Sequence, residues 1–380
     1  MKPIAENRFE NELKILSENS QLRAFPQIRV ASTGSATDLS HNSYFNLHAN
    51  PQINERAKEL CQNNLFGALA SRLVMQNTPF FEQLEETIRK WKNCEHILLF
   101  NSGFTANLGI IQALTTKNSA IFSDRLNHAS IVDGIRLSGA KHFRFNHCDY
   151  KHLEDLLQSN TASEKLIISD VVFSMDGDVA NVAQLIQIAA RYGAFLLLDE
   201  AHSLKALSEI KSDNLLIMGT LSKTIAGMGA YLQCSDTIKK YLINKCRPLI
   251  FSTALPQSIL AWNIAAIEYL SENKNLGKDL LLKAENFRQK LKEININFGN
   301  SQSQIIPIIV GSNENALNLS KKFLENGIYI PAIRPPTVPA NTARCRISLN
   351  SDVDDKILDK IISITQNVET RRLASPPEGT

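Results

Sequence analysis

From residue 96 to about 235 the chain repeats one unit: a short apolar run, a polar turn, then a helical pattern. The runs are HILLF (96–100), AIFS (120–123), KLIIS (165–169), AFLLL (194–198) and LLIM (215–218), with a more mixed KHFRF at 141–145. Strands so rarely interrupted by polar residues are buried on both faces, and the helical stretches between them return the chain across the sheet. The repetition therefore predicts an α/β fold built on a largely parallel sheet with helices on either side.

In such a sheet the C-terminal strand ends open onto a common crevice, where ligands bind. Ser102, His128, Ser174, Asp199, His202 and Lys223 all stand just past a predicted strand. Taken singly, each has a plainer reading. The Ser102-Gly103-Phe104 turn serves equally as a strand-to-helix connection, and a lone His128 as a packed strand-end residue. Six polar residues at one relative place are harder to explain as accidents of packing.

The chemistry of the set matches a pyridoxal 5′-phosphate enzyme. A lysine supplies the Schiff base, a carboxylate pairs with the protonated pyridine nitrogen, and a helix start with its unpaired N–H groups cradles the phosphate. Lys223, in Thr220-Leu221-Ser222-Lys223 before a glycine-containing turn, is placed for the first role and Asp199 for the second. The stretch 101–107, leading into LGIIQALT, is placed for the third.

Composition removes other classes. A net charge of +3 over 380 residues gives no bulk attraction for nucleic acid. Lys239, Lys240 and Lys245 read as a solvated helix face. The six cysteines are scattered without a CxxC pair or metal-ligand spacing, as reduced thiols are, and no metal is expected. The N-terminus lacks the apolar core of a signal peptide, and no window is apolar for about 18 residues, so a cytoplasmic protein without a membrane span is expected.

Residues 1–48 read as an amphipathic helix and a polar arm, and helices follow over 51–63 and 79–91. Residues 49–250 form the large domain. Residues 251–368 hold two long helices and the strands IIPIIVG, IYIPAI and RCRISLN, which make a smaller α+β domain. The tail from 369, ending ASPPEGT, is expected to be disordered.

Five stretches in order, HILLFNSGFTANLGIIQAL, SDRLNHASIVDGIRLSGA, VVFSMDGDVANVAQL, LLLDEAHS and TLSKTIAGMGAYLQCS, resemble the α-oxoamine synthase family of fold-type I pyridoxal-phosphate enzymes. The resemblance covers about residues 40 to 365. It implies that Lys223 is the Schiff-base lysine and the base for the substrate α-proton. Asp199 pairs with the pyridine nitrogen, His128 stacks on the ring, and Ser174 and His202 contact the ring hydroxyl. Ser102, Gly103, Phe104 and Thr220 serve the phosphate. Thr253 reaches the phosphate of a second subunit, which implies a homodimer. Arg346 holds the amino-acid carboxylate through a bidentate pair, with Arg334 and Arg23 near the substrate.

The activity implied is a decarboxylative condensation of an amino acid with an acyl thioester. The segment 333–344, IRPPTVPANTAR, resembles that of the biotin-pathway member, which joins L-alanine to a pimeloyl group carried by coenzyme A or acyl carrier protein. Two alternatives stay open: a different amino acid or acyl chain, including one that makes an α-aminoketone signal, and a catalytically silent partner subunit. Three places depart from the family pattern. GALASR stands for a glycine-rich SGGSR-type stretch, SLKALSEIKSDN for a longer glycine-rich loop after His202, and Asn77 near a usual glycine. Such losses re-aim backbone approach to the acyl chain.

Overall fold

The computed structural model describes residues 4–26, 36–61, 67–76, 78–204, 212 and 214–374. The expectations for Asn77 and for most of the loop after His202 lie outside the described residues. Backbone contacts divide the chain into two units, residues 42–174 with 178–279, and residues 1–41 with 175–177 and 280–380.

The chain opens with α1 (Ile4–Glu18) and the two-residue strand β1 (Thr37–Asp38). The larger unit then begins with α2 (Pro51–Cys61) and α3 (Pro79–Lys92), and the βα repeat follows. It runs β2 (His96–Phe100), α4 (Gly103–Leu114), β3 (Ala120–Asp124), α5 (Ala129–Ser138), β4 (Lys141–Phe145), α6 (Tyr150–Gln158) and β5 (Lys165–Asp170). It continues with α7 (Val182–Arg191), β6 (Phe195–Asp199), β7 (Leu215–Thr220), β8 (Ala230–Cys234), α8 (Asp236–Lys245), α9 (Arg247–Ile250) and α10 (Gln257–Glu272).

Among the described residues the large sheet has seven strands in the order β2-β8-β7-β6-β5-β3-β4. The pairs β3–β4, β3–β5, β5–β6 and β6–β7 are parallel, as the apolar runs predict. β8 does not follow the repeat: it inserts antiparallel between β2 and β7. Its five residues follow the Lys223 turn with no intervening helix, so a hairpin-like return is the only short route back. Every residue of β3 and β7 is buried, and Ile110, Ile131, Ile168, Leu197 and Met218 join one core across the sheet and helices.

Several helices of the larger unit start where the sequence supplies a capping oxygen. Ser102, Asp149, Asn181 and Ser235 each accept from a backbone N–H in the first turn that follows. Through the Ser102 cap α4 begins at Gly103, earlier than the apolar period at Leu108 suggests.

The smaller unit takes in most of α11 (Leu276–Glu293), then β9 (Ile305–Gly311), α12 (Asn313–Glu325), β10 (Ile328–Tyr329), β11 (Ala332–Ile333), β12 (Ala343–Ser348) and α13 (Asp355–Ala374). β12 is paired antiparallel with β9 and β11. The run IYIPAI is not one strand. β10 pairs with β1, whereas β11 pairs with β12. The first pairing joins the N-terminal arm to this unit. Residues 251–279, grouped by sequence with the C-terminal domain, belong to the larger unit because α10 packs against α2 and α3. α13 continues to Ala374, past the expected start of a disordered tail at 369, and 375–380 lie outside the described residues.

Candidate active site

Sheet register builds the site. β5 and β6 pair so that Asp170 stands opposite Asp199, and β6 and β7 pair so that Asp199 stands opposite Met218, two residues before the end of β7. Residues paired in this way point to the same face, so two carboxylates emerge side by side. A cavity of about 240 Å³ opens there. Ser102, Gly103 and Phe104 line it from the start of α4, His128 from the start of α5, and Ser174 from the turn after β5. Asp199, His202, Thr220 and Lys223 complete its wall. A larger cavity of about 870 Å³ shares Ala201 and Thr220 but contains none of Lys223, His128 or Asp199, and the chemistry belongs to the smaller one.

Tyr44 Oη donates to Asn42 Oδ1 at 3.2 Å and lies 2.6 Å from His202 Nδ1, while His202 Nε2 lies 2.7 Å from Lys223 Nζ, so the imidazole bridges the Tyr44 hydroxyl and the Lys223 amine. Tyr44 is fully buried and holds the imidazole from behind.

Asp199 is held from two sides. Asn107 Nδ2 donates to Oδ2 at 2.8 Å and Ala201 N–H to Oδ1 at 2.9 Å. Neighbouring Asp170 is buried, and burial and the adjacent Asp199 push its carboxyl well above the usual range. His128 caps α5, its ring exposed to the cavity and in edge contact with Phe104. The protein packed around the ring lowers its pKa; Asp199 raises it, and Lys223 lowers it again.

Thr220 Oγ1 lies 2.8 Å from Ser222 Oγ and donates to Gly229 O at 3.1 Å. Gly103 sits close by: a Cβ there would be 3.6 Å from Thr220 Cβ. The first N–H groups of α4 have no intrahelical acceptor and lie at this end of the cavity.

Thr253 does not line the cavity. It is exposed, and its carbonyl accepts from Asn101 Nδ2. The arginines belong to the smaller unit. Arg346 is buried on β12 and donates to Ser348 Oγ at 2.6 Å, while Arg23 donates to Thr337 Oγ1 at 2.7 Å. Arg334 donates to the carbonyls of Ser20 and Leu22, and burial and the nearby Arg23 both lower its pKa.

Asn107, Ser130 and Asp170 escaped the sequence reading. Each carried a signal: Asn107 lies one turn beyond Gly103, Ser130 two residues past His128, and Asp170 at the end of KLIISD. The donor set fits pyridoxal phosphate. A lysine amine, a carboxylate fixed by donors and a helix start line one cavity. Asp170 Oδ1 and Asn107 Oδ1 remain there without a partner in the protein.

Serine palmitoyltransferase from S. paucimobilis superposes with a TM-score of 0.88 at 22% identity, covering 98% of this chain and 100% of that one. The fold is thus that of the fold-type I pyridoxal-phosphate-dependent transferases. The crystal structure of 8-amino-7-oxononanoate synthase from Francisella tularensis matches with a TM-score of 0.77 at 27% identity, over 89% of this chain and 99% of that one. The profile described as aminotransferase class I and II matches residues 35–364. A Bacillus cereus (strain Q1) protein, provisionally named 8-amino-7-oxononanoate synthase, is 42% identical over 347 residues, 87% of this chain and 88% of that protein. The chain belongs to the aminotransferase class I and II family and, within it, to the α-oxoamine synthases, which are pyridoxal-phosphate-dependent acyltransferases.

Proposed function

We propose that the chain condenses L-alanine with a pimeloyl thioester, releasing carbon dioxide and free thiol and giving 8-amino-7-oxononanoate, a step of biotin biosynthesis. The observation that carries this reading is the meeting, in one cavity, of the Lys223 amine, the His128 ring and the donor-held Asp199 carboxylate. When bound, pyridoxal phosphate supplies the electron sink that stabilises negative charge at the substrate α-carbon. Asp199 pairs with its ring nitrogen and His128 lies against its ring. Ser174 and His202 contact its hydroxyl. The backbone of Gly103 and Phe104, with Ser102 and Thr220, holds its phosphate.

Lys223 Nζ would be the group that holds the cofactor and the base for the substrate α-proton, and His202 Nε2, 2.7 Å away, orients it. Arg346 binds the amino-acid carboxylate. Arg334 and Arg23 stand near the substrate in this reading, and a guanidinium suits an acyl chain that ends in a second carboxylate. The names of the relatives point to the same substrate pair. Thr253 completes the phosphate site of a second copy, which makes the working form a homodimer. No helix among the described residues is long and apolar enough to cross a membrane.

The test is a matrix of amino acids (L-alanine, glycine, L-serine) against thioesters (pimeloyl, acetyl, succinyl, palmitoyl, on coenzyme A and on carrier protein), read as thiol release. L-Alanine with a pimeloyl thioester should give the highest kcat/KM. Turnover only with another pair refutes the substrate assignment, and no turnover with any pair refutes the enzyme reading.

A further inference from the structure

Asn107 stands on the first turns of α4, 1% exposed, between two groups of the site. Its Nδ2 donates to Asp199 Oδ2 at 2.8 Å and to Ser130 Oγ at 3.0 Å. The amide cannot be turned over, since Oδ1 would then face a carboxylate oxygen. Ser130 Oγ, which accepts that amide hydrogen and keeps its own hydrogen to give, lies 2.7 Å from His128 Nδ1. The Ser130 backbone N–H reaches the same nitrogen at 3.3 Å. Nδ1 is therefore an acceptor twice over, and the single proton of a neutral ring sits on Nε2.

We propose that Asn107 is a positioning residue that, through one amide, fixes Asp199 as a hydrogen-bond-accepting carboxylate and, through Ser130, holds His128 as the neutral Nε2–H tautomer. Three contacts on three elements then set the proton inventory of the site. His128 has Asp199, Lys223 and Asp133 as its charged neighbours, and Asp170 shares its strand-end cluster. Without the amide and hydroxyl between them, His128 and Asp199 are free to pair as imidazolium and carboxylate. That pairing would withdraw Asp199 from the cofactor nitrogen. The packing around the ring, which lowers the His128 pKa, acts in the same direction as the relay. The functional meaning rests on the pyridoxal-phosphate reading above, but the relay itself is a property of the protein alone.

The apo-protein, labelled with ¹⁵N-histidine, gives the decisive measurement. Long-range ¹H–¹⁵N correlations report the tautomer, and the His128 signals are identified by their loss in His128→Asn. The parent should show His128 as Nε2–H at neutral pH. Ser130→Ala and Asn107→Leu should each convert it to a tautomer mixture or to imidazolium, and Ser130→Thr, which keeps the hydroxyl, should restore it. Pyridoxal-phosphate affinity should fall roughly tenfold or more in Asn107→Leu, which loses the bond to Asp199, and by less in Ser130→Ala, which keeps that bond. If Asn107→Leu does not fold, Ser130→Ala, which removes a single oxygen, decides the tautomer question alone. An unchanged His128 tautomer in folded Ser130→Ala, or a parent ring protonated on Nδ1, overturns the proposal. A parent with the expected tautomer that takes up no pyridoxal phosphate refutes the cofactor reading and leaves the relay standing.

Discussion

Replacing His147 by glutamine should flatten the alkaline decline in stability of this protein. His147 Nδ1 lies 3.0 Å from Asp124 Oδ1 and its Nε2 lies 2.6 Å from Asp178 Oδ2. The ring also meets the edge of Phe173, with centroids 4.3 Å apart. Burial opposes the charge on this imidazole, but hydrogen bonds to Asp124 and Asp178, with a weaker one to Cys148, prevail and carry its pKa up to about 12. An unfolded histidine titrates near about 6.5. The native state therefore keeps a proton that the unfolded chain loses, and stability contributed by His147 is complete below the unfolded value and declines as pH rises toward the folded one.

Within that window one extra bound proton gives a slope of about 1.36 kcal/mol per pH unit, so about 2.7 kcal/mol is lost between about pH 7.5 and 9.5. This figure depends only on the folded pKa lying above the window. The assay is urea denaturation of the apo-protein at fixed protein concentration across that range, parent against His147→Gln. Cysteines and lysines titrate in both proteins, and the difference between the two curves isolates His147. Parallel curves would refute the argument, because the imidazole would then be neutral in the native state.

Three further outcomes follow from the same geometry. Lys92 is 1% exposed and donates to Glu200 Oε1 at 2.6 Å, and Tyr231 Oη donates to the same oxygen; Lys92→Met should cost about 3–5 kcal/mol in chemical denaturation, with partial recovery in Lys92→Met/Glu200→Gln, because a lone buried carboxylate is the main penalty. Tyr44→Phe removes the hydroxyl 2.6 Å from His202 Nδ1, and kcat should fall roughly tenfold with the amino-acid KM little changed; an unaltered kcat means that Tyr44 does not hold His202 for Lys223. Mixing inactive Lys223→Ala with a weakened Thr253→Val variant should yield hybrid dimers with one site free of both substitutions, so recovered specific activity above that of the separate proteins is expected, and none is expected if Thr253 serves its own chain.

Most strands of the large unit were legible because burial on both faces leaves no room for polar residues, as in HILLF; the mostly exposed KHFRF, and IIPIIVG of the smaller unit, also occupy the predicted residues. Strand-end placement likewise brought His128, Asp199 and Lys223 to one cavity. What could not be read depends on partners distant in sequence. β8 is decided by pairing on both edges, not by its own pattern. The two halves of IYIPAI part company because one is claimed by the N-terminal arm and the other by β12. Asn107 stood at the end of the 101–107 stretch with no role of its own, since its significance arises only when Asp199, 92 positions later, arrives beside it. Asp170 falls between KLIIS and VVFSMDGD and drew no role, although register with β6 makes it the neighbour of Asp199.

That register has a consequence for how such an enzyme can change over generations. Adjacent strands are spaced at about 4.8 Å by their hydrogen bonds, whatever loop joins them. Asp170 and Asp199 are located by this ruler, and the chain between β6 and β7 contributes nothing to their separation. Changes in the length of the chain between β6 and β7 therefore leave the two carboxylates in their places. Diversification of substrate and conservation of chemistry fall on separate stretches of one gene, and a lineage can acquire the first without gambling the second.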